Sequence, residues 1–490
     1  MSLSLLLDLY ELTMVAGYQR YGMLDKQAVF DLYFRHNPYH GGYAVFAGLE
    51  PALEYLEDLR FDPEDIAYLA TLGLFDEEFL NFLREFQFRG TVTAAREGEI
   101  VFPGEPLLSV EGSLGEVQLV ETALLNLINF QTLIATKAAR IVGEATHGGQ
   151  ESEIVEFGAR RAQGPDGALG ATRAAYVGGV RSTSHLAAGR RLGIPVVGTQ
   201  AHSWVMAFPS ELEAFRAYAA TFPDHCVLLV DTYDTLRSGV PNSITVAREL
   251  SETGYALRGI RLDSGDLAYL SREARRLLDE AGFPDVKILA SNELDEHIIE
   301  SVRKEEGRID VYGIGTRLVT AAGRAGGALN GVYKLVELDG LPRIKISSDQ
   351  AKSTIPGCKK IWRVSRDGGD DRFEMDVLAG FAETPRPGDL VFDPSNPLRH
   401  TRIPRTAQIR DLRTVVMKHG DRTQPERPLE EIADYSRQRL SQLPDGCRRL
   451  LNPHMYRVTL SQSLNERRAR MIEEIAPPAE NDGPAGGKEL

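Results

Sequence analysis

Leu5, Leu6, Leu9, Leu12, Thr13 and Ala16 recur at helical spacing, and the alternating segment 28–34 that follows predicts a strand. Helix and strand then alternate to about residue 125. Apolar periodicity over 116–146 predicts one long helix, or two joined at a kink, leading out of this first region. From about 150 the pattern changes. Short apolar runs end in polar residues and each precedes a helical segment: EIVEF, IPVVG, CVLLVD, IRLDS, KILAS and VYGIG, with ends near 157, 198, 231, 263, 291 and 313. Such units bury parallel strands under helices, and a barrel is favoured over an open sheet. In a barrel the chemistry sits on loops leaving the carboxyl ends of the strands, where polar residues cluster here. Alternation returns after 330 in GVYKLVEL and PRIKIS, with turns at LDGLP and RDGGDD. The closing AENDGPAGGKEL has the composition of a disordered tail.

The length of 490 residues suits about three domains, or one large domain with additions. A formal charge of −14 repels nucleic acid phosphates and anionic lipid, so neither is expected as a partner, and an anionic substrate must meet a local cluster of Arg and Lys. No run of 18 apolar residues occurs, and the opening MSLSLLLDLYELTM lacks a basic leader, so no membrane span or signal peptide is expected. Cys226, Cys358 and Cys447 are odd in number and far apart, which supports neither a disulfide framework nor a zinc site and suggests a reducing cytoplasm.

Six strand ends carry candidate chemistry. EFGARRAQGPDG sets Arg160 and Arg161 beside Phe157 in a Gly-rich turn, where a flat anionic ring could be held; the plain alternative is two solvated arginines and a core Phe. VVGTQAHSW offers Thr199 and His202, the imidazole being either structural or a nucleophile or general base. VDTYDT and RLDSGD supply Asp231, Asp234, Asp263 and Asp266, which call for Mg²⁺, a ribose diol or Arg261 as partner. Asp234 and Asp266 could instead be helix N-caps. YGIGTR places Gly313, Gly315 and Thr316 where backbone N–H groups could approach a phosphate, or where plain loop geometry wants glycine. Ser291 and Asn292 end the preceding strand, as caps or phosphate ligands.

DLYELTM at 8–14, EFGARRAQGPDG at 156–167, AAYVGG at 174–179, GTQAHSW at 198–204, DTYDT at 231–235, GIRLDSGDL at 259–267, SNELD at 291–295 and GIGTRLVT at 313–320 together resemble the nicotinate phosphoribosyltransferase family, in order and spacing. The resemblance covers about residues 5–460. It implies ATP-stimulated transfer of phosphoribosyl from 5-phosphoribosyl 1-diphosphate to nicotinate, giving nicotinate mononucleotide and diphosphate in NAD salvage. The fold it implies is that of type II phosphoribosyltransferases: an irregular, TIM-like α/β barrel packed with an α/β-sandwich domain and a smaller C-terminal region, in a homodimer with shared active sites. On that pattern residues 1–125 begin the sandwich, 126–330 form the barrel, 331–475 form a sheet-rich region completing the sandwich, and 476–490 are a tail.

Site roles carried over by the resemblance are specific. His202 looks like the histidine phosphorylated by ATP. Thr199, Arg261 and Tyr10 look like nicotinate contacts, Tyr10 coming from a partner subunit. Phe157 would stack on the pyridine ring and Arg160 would approach the substrate's anionic groups. Asp231 and Asp263 would address ribose, diphosphate or Mg²⁺, and Gly313, Gly315 and Thr316 the 5-phosphate. One departure is VRSTSHLAAG, where His185 stands in a position that relatives commonly fill with Asn. Nicotinamide-using relatives tend to carry Asp near Ser184; its absence here favours the acid. The competing readings are a nicotinamide or quinolinate phosphoribosyltransferase, a Mg²⁺-dependent barrel lyase, and a metabolite-sensing scaffold without turnover. A Schiff-base lyase would need a strand-end Lys, which none of these strand ends has.

Overall fold

The computed structural model describes residues 3–149, 151–324, 327–347, 353–366, 371–396 and 399–475. The tail expected over 476–490 lies outside the described residues. So does the centre of the RDGGDD turn, although its flanking strands Lys359–Ser365 and Phe373–Gly380 pair antiparallel.

Two mixed regions and one parallel sheet make up the α/β architecture. Strand Gln27–Phe34 has both faces covered and is buried along most of its length. Around it forms a seven-stranded antiparallel sheet, in the order Leu341–Pro342, Gly331–Leu338, Gln27–Phe34, Leu108–Ser113, Thr91–Ala95, Arg413–Lys418 and Asp421–Arg422. Strands from the first 113 residues therefore form the centre of the sheet, flanked on both sides by strands from beyond residue 330. The LDGLP hairpin turns through Asp339 and Gly340, with φ of 50° and 72°, the left-handed pair that a two-residue hairpin turn demands.

The periodic stretch resolves into a short helix, Leu114–Gln118, and the 25-residue helix Glu121–Ala145. The long helix is buried on most sides because it packs against both halves of the molecule. Its Thr136 hydroxyl accepts from the Val45 N–H at 2.9 Å, and its Thr132 hydroxyl accepts from the Ala47 N–H at 3.1 Å. These bonds satisfy backbone donors that would otherwise be stranded in the core.

The parallel sheet has six strands in the order Ser182–Thr183, Glu153–Glu156, Val311–Ile314, Lys287–Ser291, Gly259–Leu262 and Val227–Leu229. IPVVG, read as a strand, shrinks to one parallel bridge between Val196 and Thr183. Pro195 has no N–H to give to a ladder, which accounts for the loss. The hydrogen-bonded arc thus runs from Val196 round to Val227–Leu229, and among the described residues no ladder joins its two ends. The α/β class and parallel strands are as the sequence suggests; a closed TIM-like ladder is not what the backbone draws. A third, six-stranded sheet comprises His400–Arg402, Leu390–Phe392, Val458–Ser461, Phe373–Gly380, Lys359–Ser365 and Gln408–Asp411.

Candidate active site

The carboxyl ends of the parallel strands bring the predicted residues together around Arg261. Gly259–Leu262 is an inner strand of the arc, so the Arg261 side chain is surrounded by its neighbours' ends. Its Nε donates to Ser291 Oγ at 2.8 Å, one terminal nitrogen to Thr199 Oγ1 at 2.9 Å, and the other to Asp263 Oδ1 at 2.8 Å. The guanidinium carbon lies 5.6 Å from the centre of the Phe157 ring. A fixed cation beside an aromatic ring suits a flat anion.

Asp263 also accepts from the Ser291 hydroxyl, and Asp263 Oδ2 stands 3.6 Å from His202 Nε2. Burial works against its charge, yet Ser291, Arg261 and His202 outweigh burial and hold the carboxyl below its ordinary range. Asp231 Oδ2 accepts from the Asp263 N–H at 2.8 Å and from the Ser264 hydroxyl at 2.6 Å. Its Oδ1 is buried without a hydrogen-bond partner. His202 opens the helix His202–Met206; its Nδ1 meets Thr232 Oγ1 at 3.1 Å, and its side chain is 40% exposed. An imidazole oriented at both nitrogens, with one edge open to solvent, is placed to accept a group from outside.

Gly313 and Gly315 have a packing reason. A Cβ on Gly313 would come within 2.5 Å of the Phe157 ring, and one on Gly315 within 3.1 Å of the Phe157 carbonyl oxygen. They let Phe157 lie against the strand end, and this requirement stands independently of any phosphate. Arg160 is exposed in the turn Ala159–Arg161 and Thr316 begins the helix Thr316–Val319, both at ends of adjacent strands. Asn292 is exposed with φ of 89°, a left-handed strain at the strand end. Asp266 and Asp234 are N-caps, accepting from the Tyr269 and Arg237 N–H groups at 3.0 and 2.9 Å. Tyr10 does not join the cluster within one chain. It sits 44% exposed on helix Leu9–Arg20, where burial and Glu121 raise its hydroxyl pKa.

Sequence reasoning missed several contributors. Thr232 fixes His202, and Ser264 holds Asp231. Glu156 is buried, accepting from Thr183 Oγ1 at 2.5 Å, from Thr172 Oγ1 at 3.0 Å and from the Gly158 N–H, so it shapes the loop after Phe157. His185 Nδ1 meets the same Thr172 hydroxyl at 3.2 Å. Gln200, beside Thr199, buries both side-chain polar atoms without a partner. The signal for Thr232 and Ser264 was their place beside the strand-end aspartates; nothing local marks the others.

Asp231 Oδ1 has no hydrogen-bond partner among the described residues, and Asp263 Oδ2 has none closer than His202 Nε2 at 3.6 Å, so these two carboxylates are the candidates for a cation. Among the described residues no three His, Cys, Asp or Glu side chains converge as a metal site. Two carboxylates fit Mg²⁺, which takes few protein ligands and fills its shell with water and substrate phosphate.

Comparison with known proteins is consistent along the chain. Models of the nicotinate phosphoribosyltransferase N-terminal domain, the family itself and its C-terminal domain match residues 5–129, 152–379 and 358–468. The nicotinate phosphoribosyltransferase of Bacillus subtilis is 44% identical, over 98% of this chain and 97% of that one. That of Dictyostelium discoideum is 38% identical, over 94% and 86%. The crystal structure of human nicotinic acid phosphoribosyltransferase superposes with a TM-score of 0.83 at 34% identity, over 95% of this chain and 99% of that one. Nicotinate-nucleotide pyrophosphorylase from Pyrococcus furiosus, at 22% identity and a TM-score of 0.66 over 89% of this chain and 95% of that one, shares the fold.

Proposed function

The chain belongs to the nicotinate phosphoribosyltransferase family, and from that premise we propose that it joins nicotinate to the phosphoribosyl group of 5-phosphoribosyl 1-diphosphate, releasing nicotinate mononucleotide and diphosphate, with ATP consumed through His202. The observation that carries this reading is Arg261, bonded to Thr199 and Ser291 beside the Phe157 ring and linked through Asp263 to His202.

In this reading the nicotinate ring lies on Phe157 and its carboxylate meets Arg261 and Thr199. Ser184 offers no carboxylate near that strand end, which favours the acid over the amide. Departure of diphosphate leaves positive charge on the anomeric carbon, and the carboxylates of Asp263 and Asp231 are preorganised to stabilise it. Asp231 Oδ1 and Asp263 Oδ2 would hold Mg²⁺, whose contribution is to neutralise the departing diphosphate. The ring nitrogen then forms the bond to the anomeric carbon. Arg160, Asn292 and Thr316, with N–H groups near Gly313 and Gly315, would contact the phosphates.

His202 Nε2 faces Asp263, so the tautomer protonated at Nε2 leaves the Nδ1 lone pair, beside Thr232, to attack the γ-phosphorus of ATP with ADP leaving. Tyr10, on an exposed apolar face with Leu9 and Met14, would reach the site of a second copy, giving a homodimer. The arc of parallel strands would act as the wall of an irregular barrel, within the domain division given above. Three unpaired cysteines support a cytoplasmic setting.

The test is diphosphate release from 5-phosphoribosyl 1-diphosphate with nicotinate, nicotinamide or quinolinate, each with and without ATP. Release with nicotinate, raised by ATP, is expected. Comparable kcat/KM with nicotinamide or quinolinate would overturn the assignment.

A further inference from the structure

At the opposite end of the parallel sheet lies a cavity of about 1010 Å³ that shares no residue with the site described above. Its floor includes the strand starts Ser152, Glu153 and Ser182. That volume is at the top of the range for small-molecule sites. Six arginines line it, in a chain whose net charge is −14.

Among the lining segments 178–182 and 437–451, Arg181 and Arg437 share one oxygen of Asp434, at 3.1 and 2.7 Å. Arg448 pairs with Asp445, while Arg449 bonds a backbone oxygen, that of Gly446, at 3.3 Å. Four guanidinium groups thus answer to two carboxylates. Glu144, Glu151, Glu153 and Glu300 also line the cavity, Glu153 paired with Lys287 at 3.0 Å and Glu300 with Lys304 at 2.7 Å. Arg303, which also lines the cavity, is held to Glu144 at 3.0 Å, and its Nε is buried with no hydrogen-bond partner. A stranded, buried guanidinium N–H is costly unless something accepts from it.

We propose that this cavity is a second ligand site, for a sugar phosphate of nucleotide size. The phosphate meets the guanidinium groups of Arg181, Arg437, Arg448 and Arg449, which bind it bidentately, and the sugar hydroxyls donate to lining carboxylates such as Glu151. Strand Glu153–Glu156 starts at this cavity and leads directly into Phe157, so occupancy bears on a strand that carries the candidate active site. The proposal stands on the cavity alone and does not depend on which reaction the protein performs.

Calorimetric titration of the full chain with AMP, and separately with inorganic phosphate, tests it. The exposed pair Arg448→Ala/Arg449→Ala should weaken AMP binding about tenfold or more. Asp231→Asn, at the other end of the sheet, should leave that binding unchanged, and matching melting temperatures would show that the variants fold. The proposal is overturned if AMP does not bind the wild type, if its binding follows Asp231 instead of the arginine pair, or if inorganic phosphate binds as tightly as AMP.

Discussion

Arg261, Asp263 and His202 form a chain of contacts in which each group is oriented by the next, and the consequences can be read residue by residue. His202 is half-open to solvent and replaces no core packing, so His202→Ala should abolish ATP stimulation of diphosphate release with little change in melting temperature. Persistent ATP stimulation in that variant would remove the phosphohistidine role. Gly313→Ala places a methyl against the Phe157 ring, an overpacking cost of about 1–3 kcal/mol. The expected result is a KM for nicotinate raised about tenfold, with kcat less affected. The types of these residues were legible because strand ends in parallel sheets collect polar groups. Thr232 could have been found from its place beside Asp231, whereas nothing local marks Glu156, whose role depends on Thr172 and Thr183 facing it, or the unpartnered buried amide of Gln200.

At the scale of elements, the carboxylate pattern divides cleanly. Asp234 and Asp266 begin helices and cap them, whereas Asp231 and Asp263 end strands and face the site; both alternatives were open from spacing alone. The first helix, Leu9–Arg20, docks through Glu11, which accepts from the Thr122 N–H at 3.2 Å and the Asp8 N–H at 3.4 Å. Burial pushes the Glu11 carboxyl up to about 7; Glu121 adds to this, while bonds from Thr122 and Asp8 oppose it. A folded value above the unfolded one means that its contribution is fully present below the ordinary carboxylate range and is lost as pH rises through about 7. Glu11→Gln should therefore gain thermal stability relative to wild type as pH is raised from about 4.5 to about 7, read from paired melting curves. A constant difference across that window would refute the assignment.

Across the whole molecule, one buried cation ties early and late chain segments together. Arg363 bonds Glu99 at 2.7 Å and Asp376 at 2.6 and 2.9 Å, and stacks 4.2 Å from the Phe373 ring centre. Arg439 reaches the same Glu99 at 2.9 Å. Arg363→Leu would leave buried carboxylates short of countercharge, a loss of about 3–5 kcal/mol that should appear as a lower melting temperature. No shift would show that the network relaxes around the substitution. The sequence by itself determined the parallel strand–helix units, the helix and strand periodicities and the residue types at strand ends, because side-chain spacing and chain stiffness are local properties. Tertiary structure alone decided that strands 27–34 and 331–338 pair, that IPVVG keeps one bridge, and that Thr232, Glu156 and the arginine-lined cavity acquire their surroundings. Those outcomes depend on segments from tens to hundreds of residues apart competing for the same partners and the same buried space, and no local pattern encodes the winner.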